Sequence, residues 1–135
     1  MKKTYYDFAM SDYKNLEFMI ENEFDDYDTI MVTCQQFFEK YLKYFLELLK
    51  GDSNRVYKLT VISNQLEQYI DFFRQVQDYY FDRRSPNDCY IETSKEKCDY
   101  VVSKTKEVKK LLDKILEEYS KSDSLKSSNV FDKLK

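Results

Sequence analysis

The sequence predicts an all-α fold, an up-down antiparallel four-helix bundle, and three observations predict it. The 135 residues include one glycine and one proline, too few for the many turns of an all-β domain. Apolar residues recur at helical spacing through four long segments. Short polar connections join those segments and leave no room for a crossover, so successive helices pair antiparallel.

The first helix starts near Tyr5 or Ser11 and ends at Asp25. Ser11 can cap it, although Lys14 stands where a capping box wants Glu. Leu16, Met19, Ile20 and Phe24 keep the apolar spacing. The acidic run Glu21, Glu23, Asp25, Asp26 and Asp28 lacks the ordered ligands and turn glycine of a calcium loop. It reads as a solvated turn in which Asp26 or Asp28 caps the next helix.

The second helix, from Tyr27 to Lys50, carries one apolar face that includes Ile30, Cys34, Phe37, Phe38, Tyr41 and Phe45. Gly51 follows it and is a stop signal, because glycine accepts the left-handed conformation. After the polar turn Asp52-Ser53-Asn54, a third pattern runs from Val56 to Tyr80 and stops before Pro86. The residue before proline is biased away from helix, so Ser85 is expected to be extended.

Thr93-Ser94-Lys95-Glu96 is a second start signal, with Thr93 as cap and Glu96 three residues on. The fourth helix follows through Cys98, Val101, Thr105, Leu112 and Tyr119 and fades near Tyr119 or Ser120. The bundle is thus expected to occupy residues 1–121. Residues 122–135 form a polar tail, either disordered or a short docking helix through Val130, Phe131 and Leu134.

Composition narrows the function classes. Thirteen tyrosines and ten phenylalanines without tryptophan imply a ring-rich core with hydroxyls at its rim. A net charge of −3 argues against broad non-specific nucleic-acid affinity. The first fifty residues are mildly acidic and the last forty-five mildly basic. Met1-Lys2-Lys3 leads into Thr4-Tyr5-Tyr6-Asp7 rather than an apolar stretch, and no run of 18 apolar residues exists. A cytoplasmic protein with no membrane association is expected. Cys34, Cys89 and Cys98 are odd in number and widely spaced, which suggests neither a disulfide framework nor a zinc site. The sequence holds no histidine. That removes imidazole as base, acid or metal ligand within this chain, and with it the Glu-x-x-His motif of di-iron bundles. One glycine also leaves no phosphate-cradling loop. No metal is expected.

The chemistry-bearing feature is Arg83-Arg84-Ser85-Pro86, two cations where the chain turns between its last two helices. One reading is helix-end stabilisation, worth about 0.3–1 kcal/mol from the dipole. The other is anion recognition, since guanidinium pairs with phosphate in fork geometry. Asp82 and Asp88 flank the pair and can neutralise it. Cys89 is a loop thiol whose pKa the arginines can lower, or a half-buried loop residue. Cys98 lies on an apolar face and reads as core.

Three segments together resemble the HEPN family of small helical bundles (higher eukaryotes and prokaryotes nucleotide-binding). The run from Gln35 to Lys43, Gln-Gln-Phe-Phe-Glu-Lys-Tyr-Leu-Lys, is similar to the family's second-helix pattern Q-x-A-x-E-K-x-L-K. Leu59, Ile62 and Leu66 have the spacing of its third-helix start. Arg83-Arg84-Ser85-Pro86 is similar to its A-R-Y-P loop. The resemblance covers roughly residues 10–119.

Two departures accompany it. The family's His-Asp pair falls on Tyr57 and Lys58, and its loop tyrosine on Ser85. In ribonuclease branches an arginine is followed four to six residues later by a histidine; after Arg84, four intervening residues lead to Cys89. The resemblance therefore implies a non-nuclease member that binds nucleotide or RNA near Arg83 and Arg84, with Tyr57 and Lys58 as further contacts. It implies no catalytic residue and no cofactor beyond nucleotide as ligand. It also implies a homodimer and a nucleotidyltransferase partner in a toxin–antitoxin or phage-defence setting. The alternatives are a pure protein-interaction bundle and, last, a ribonuclease using Cys89 or Tyr90 beside Arg84.

Overall fold

In a computed structural model the chain is described over residues 2–84 and 93–128, with side chains described over 2–74 and 93–121. Helix α1 spans Tyr5–Glu21, α2 Tyr27–Leu48, α3 Arg55–Arg84 and α4 Lys95–Ser128. No strand occurs among the described residues, and none of their helices is long and apolar enough to cross a membrane.

Local chemistry explains each boundary. The Thr4 hydroxyl accepts the Asp7 N–H at 3.3 Å while the Asp7 carboxylate accepts the Thr4 N–H at 2.8 Å. This capping box, with Asp in place of Glu, starts α1 at Tyr5 and leaves Ser11 inside the helix rather than at its cap. The helix ends at Glu21, four residues before the expected Asp25. Phe24 N–H donates to the Met19 carbonyl at 2.9 Å and Glu23 N–H to that of Ile20 at 3.1 Å. That pair of bonds is a Schellman motif. It puts Glu23 at φ 52°, in the left-handed region where glycine is usual, and turns Phe24 out of the helix.

Asp26 is the cap of α2, accepting the Thr29 N–H at 3.2 Å and the Thr29 hydroxyl at 2.7 Å. Asp28, the other candidate, is buried. Gly51 adopts φ 84° just beyond α2. Ser94, not Thr93, caps α4: its hydroxyl accepts the Lys97 N–H at 3.1 Å. Thr93 stands one residue earlier, and its hydroxyl is occupied elsewhere. Helix α4 continues past the expected fade near Tyr119 or Ser120 to Ser128. Losing the apolar face does not end it, because no Gly or Pro interrupts 120–128. Ser85, Pro86, Cys89, Val130, Phe131 and Leu134 lie outside the described residues.

Side-chain pairs establish the up-down order. Tyr6 meets Tyr41 and Tyr13 meets Phe37, so α1 and α2 run antiparallel. Phe38 stacks on Phe73 with centroids 4.2 Å apart, while Phe45 and Leu49 approach Tyr57, so α2 and α3 are antiparallel too. Phe72 meets Tyr100, and Lys58 lies over Tyr119, so α3 and α4 are antiparallel, and the Tyr41–Asp113 bond sets α4 beside α2. The core is centred on α2, whose Cys34, Phe37 and Tyr41 are fully buried, with Leu16, Leu66, Val101, Val108 and Leu112 from the other helices. Tyr41 donates its hydroxyl to Asp113 at 2.6 Å, and Asp113 also takes Lys109 at 2.7 Å. Lys109 in turn lies 5.0 Å from the Tyr13 ring centroid, tying α1, α2 and α4 together. Burial, then the Asp113 hydrogen bond, raises the Tyr41 pKa above the ordinary tyrosine range.

Candidate functional site

The continuity of α3 decides how the sequence-predicted residues are distributed. Tyr57 and Lys58 lie in its first turn, and Arg83 and Arg84 are its last two residues. Twenty-six residues of helix at 1.5 Å each separate Tyr57 from Arg83 by about 39 Å. Within one chain the two pairs occupy opposite ends of the bundle. The side chains of Arg83 and Arg84, and Cys89 altogether, lie outside the described residues.

At the Tyr57 end, the Lys58 ammonium is 2.6 Å from Asp52 and 5.0 Å from the Tyr119 ring centroid. Asp52 also accepts the Asn54 N–H at 2.7 Å, so Lys58 braces the α2–α3 turn. Tyr57 is 72% exposed and Val56 79% exposed. A shallow, mostly apolar groove of 260 Å³ lies beside them, between Phe45, Ile62, Ile115 and Tyr119.

The opposite end gathers the end of α1, the start of α2, the end of α3 and the start of α4. It is fastened by a buried bond: the Thr93 hydroxyl donates to the Asp28 carboxylate. Both residues are buried. Thr93 is the first described residue after the Arg84 connection, so this bond sets where that connection delivers the chain to α4. A charge-assisted hydrogen bond of this kind is among the stronger ones.

Beside this anchor opens a cavity of 600 Å³ between the α1–α2 turn and the first three turns of α4. Phe24, 44% exposed, and Tyr27 form one wall; Lys95 and Lys106 stand along α4. Glu23 and Asp99 also border it. Burial and the neighbouring Asp99 and Asp28 push the Cys98 thiol at its base up to about 12, and burial does the same for Cys34. Both thiols are protonated at neutral pH and serve as core residues. Among the described residues no group of three or more Cys, Asp or Glu side chains could hold a metal.

Sequence reasoning missed Phe24, Lys95, Lys106 and the Asp28–Thr93 bond. Phe24 keeps the apolar spacing of the first helix in the sequence, and the left-handed Glu23 that turns it outward has no glycine to mark it. Thr93 carried a cap signal, and its tertiary partner 65 residues away had no local signature.

Comparison with known proteins gives one family: the HEPN domain model matches residues 3–118. No curated protein and no solved structure matches the chain.

Proposed function

The chain belongs to the HEPN domain family, and from that premise we propose that it is a non-nuclease nucleotide- or RNA-binding module. Its ligand is held at the end of the bundle where α3 closes on Arg83-Arg84 and α4 begins. What supports this reading is that the two arginines finishing α3 and the amino terminus of the 34-residue α4 both lie toward one end of the bundle. Guanidinium groups and a helix N-terminus both favour phosphate. With no histidine in the sequence, the loop has no imidazole for metal-free RNA cleavage, so recognition without turnover is the function. A nucleotidyltransferase partner, in a toxin–antitoxin or phage-defence setting, completes the reading.

Titration calorimetry with ATP and with a short RNA tests it on wild type and Arg84→Ala. The variant is expected to bind at least about tenfold more weakly. Equal affinities would remove Arg84 from the site. Binding of neither ligand by wild type would overturn nucleotide recognition.

A second reading, docking of protein alone, is favoured by the exposed Val56 and Tyr57 beside the apolar groove at the other end. A second copy of the chain is the occupant that a homodimer would bring. Sedimentation of wild type and Val56→Asp compares the two readings. A dimer lost in the variant supports self-association there; a monomeric wild type ends it.

A further inference from the structure

The cavity beside the Asp28–Thr93 anchor combines three features that a helix-packing gap does not need. Its volume of 600 Å³ lies within the range of small-molecule sites, about 300–1,000 Å³. Its floor is apolar, with Ile30, Cys98 and Val102 buried, and its rim is charged. An aromatic ring is presented at its mouth by a restrained backbone. Phe24 is nearly half exposed, yet its N–H is bonded to the Met19 carbonyl, and Glu23 before it is held in the left-handed region.

The cations complete the pattern. Lys95 opens α4, and neither Lys95 nor Lys106 forms an ion pair with a described residue. Ser94 satisfies the Lys97 N–H through its hydroxyl and the Cys98 N–H through its carbonyl. The Lys95 and Glu96 N–H groups have no acceptor within the helix. An anion at this end of the cavity therefore meets an ammonium and the positive end of a long helix together. Lys106 is three turns further along α4, about 16 Å away, too far to grip the same phosphate. Glu23 and Asp99 border the cavity with the two lysines and offset them, so bulk charge does not provide the affinity.

We propose that this cavity is a subsite for one nucleoside monophosphate unit, its base lying against Phe24 and its phosphate at Lys95 and the start of α4. The inference rests on the nucleotide reading above and extends it from the Arg84 connection to the adjoining cavity. The unit is either a free nucleotide or part of an RNA strand, in which case Lys106 meets a neighbouring phosphate.

The test is calorimetric titration of wild type, Phe24→Ala, Lys95→Ala and Lys106→Ala with AMP and with a short oligoadenylate, folding being checked by circular dichroism. Base stacking on an aromatic side chain is worth enough that Phe24→Ala should weaken AMP binding by about tenfold. Lys95→Ala should weaken it comparably. Loss of oligoadenylate but not AMP affinity in Lys106→Ala identifies a strand as the occupant; no effect on either identifies the free nucleotide. Wild-type affinity for both ligands in Phe24→Ala and Lys95→Ala, with Arg84→Ala impaired, overturns the cavity assignment and leaves the Arg84 reading intact. Wild type binding neither AMP nor oligoadenylate overturns the cavity assignment, and only if ATP and the short RNA also fail to bind does the Arg84 reading fall with it.

Discussion

Replacing Thr93 by Val tests whether one buried bond secures the end of the bundle where the site is proposed. Valine keeps the shape of threonine and removes the hydroxyl that donates to Asp28. Both residues are buried, so water cannot easily take the place of the lost donor. A hydrogen bond to a charged group contributes about 1.5–3 kcal/mol. Asp28 has a further interaction, which keeps the expected loss near the lower figure, about 1.5 kcal/mol. For a chain of this length that is a fall in Tm of about 5 °C.

Urea unfolding of wild type, Thr93→Val, Asp28→Ala and the double variant, followed by far-UV circular dichroism, isolates the pair term. The coupling energy should be about 1–2 kcal/mol, because each single change already removes the bond. Additive losses, with a coupling below about 0.5 kcal/mol, would refute the reasoning: the two residues would then be buried neighbours that do not hold each other. Arg84-dependent ligand binding should weaken alongside stability in Thr93→Val if the bond positions the Arg84 connection.

Three further outcomes follow from the structure. Glu23→Gly should stabilise the chain by roughly 0.5–1 kcal/mol, since it relieves a left-handed side chain at φ 52°; a lower urea midpoint than wild type would contradict this. Tyr41→Phe should cost about 1 kcal/mol in a thermal melt, as Asp113 loses the Tyr41 hydroxyl but keeps Lys109. Cys34 and Cys98 are pushed up to about 12 from 9.0. The unfolded chain therefore sheds their protons first, and their contribution is complete below pH 9 and lost as pH rises towards 12. By about pH 10 this amounts to about 1 kcal/mol per thiol, and the decline in urea midpoint should be shallower in Cys34→Ala/Cys98→Ala. An unchanged slope would remove the thiols from the account.

The helices were legible because their signals are local. The α2 face from Ile30 to Phe45, the glycine after it and the polar turn Asp52-Ser53-Asn54 all act within a few residues. Boundaries were less legible where one signal had competing uses. Thr4 and Ser11 both suit a cap, and the choice fell to Thr4 because Asp7 returns the bond. Thr93 and Ser94 both suit the α4 start, and Thr93 was withdrawn from that role by Asp28. Val56 kept the apolar period of α3 but is solvent-exposed, because periodicity identifies a face and not what covers it.

The resemblance implies contacts at Arg83 and Arg84 and further ones at Tyr57 and Lys58, and α3 sets the two pairs at its opposite ends. The unbroken third pattern in the sequence already implied this, because α3 separates the pairs by its own rise. What the order of residues settled alone was the all-helical class, the four helices, their antiparallel succession and the family. These depend on period, turn chemistry and short connections, all of which are encoded within a window of a few turns. Only the tertiary structure joined Asp28 to Thr93 and turned Phe24 to the mouth of a cavity. Those outcomes depend on which helix ends meet in space, and long-range packing alone decides that.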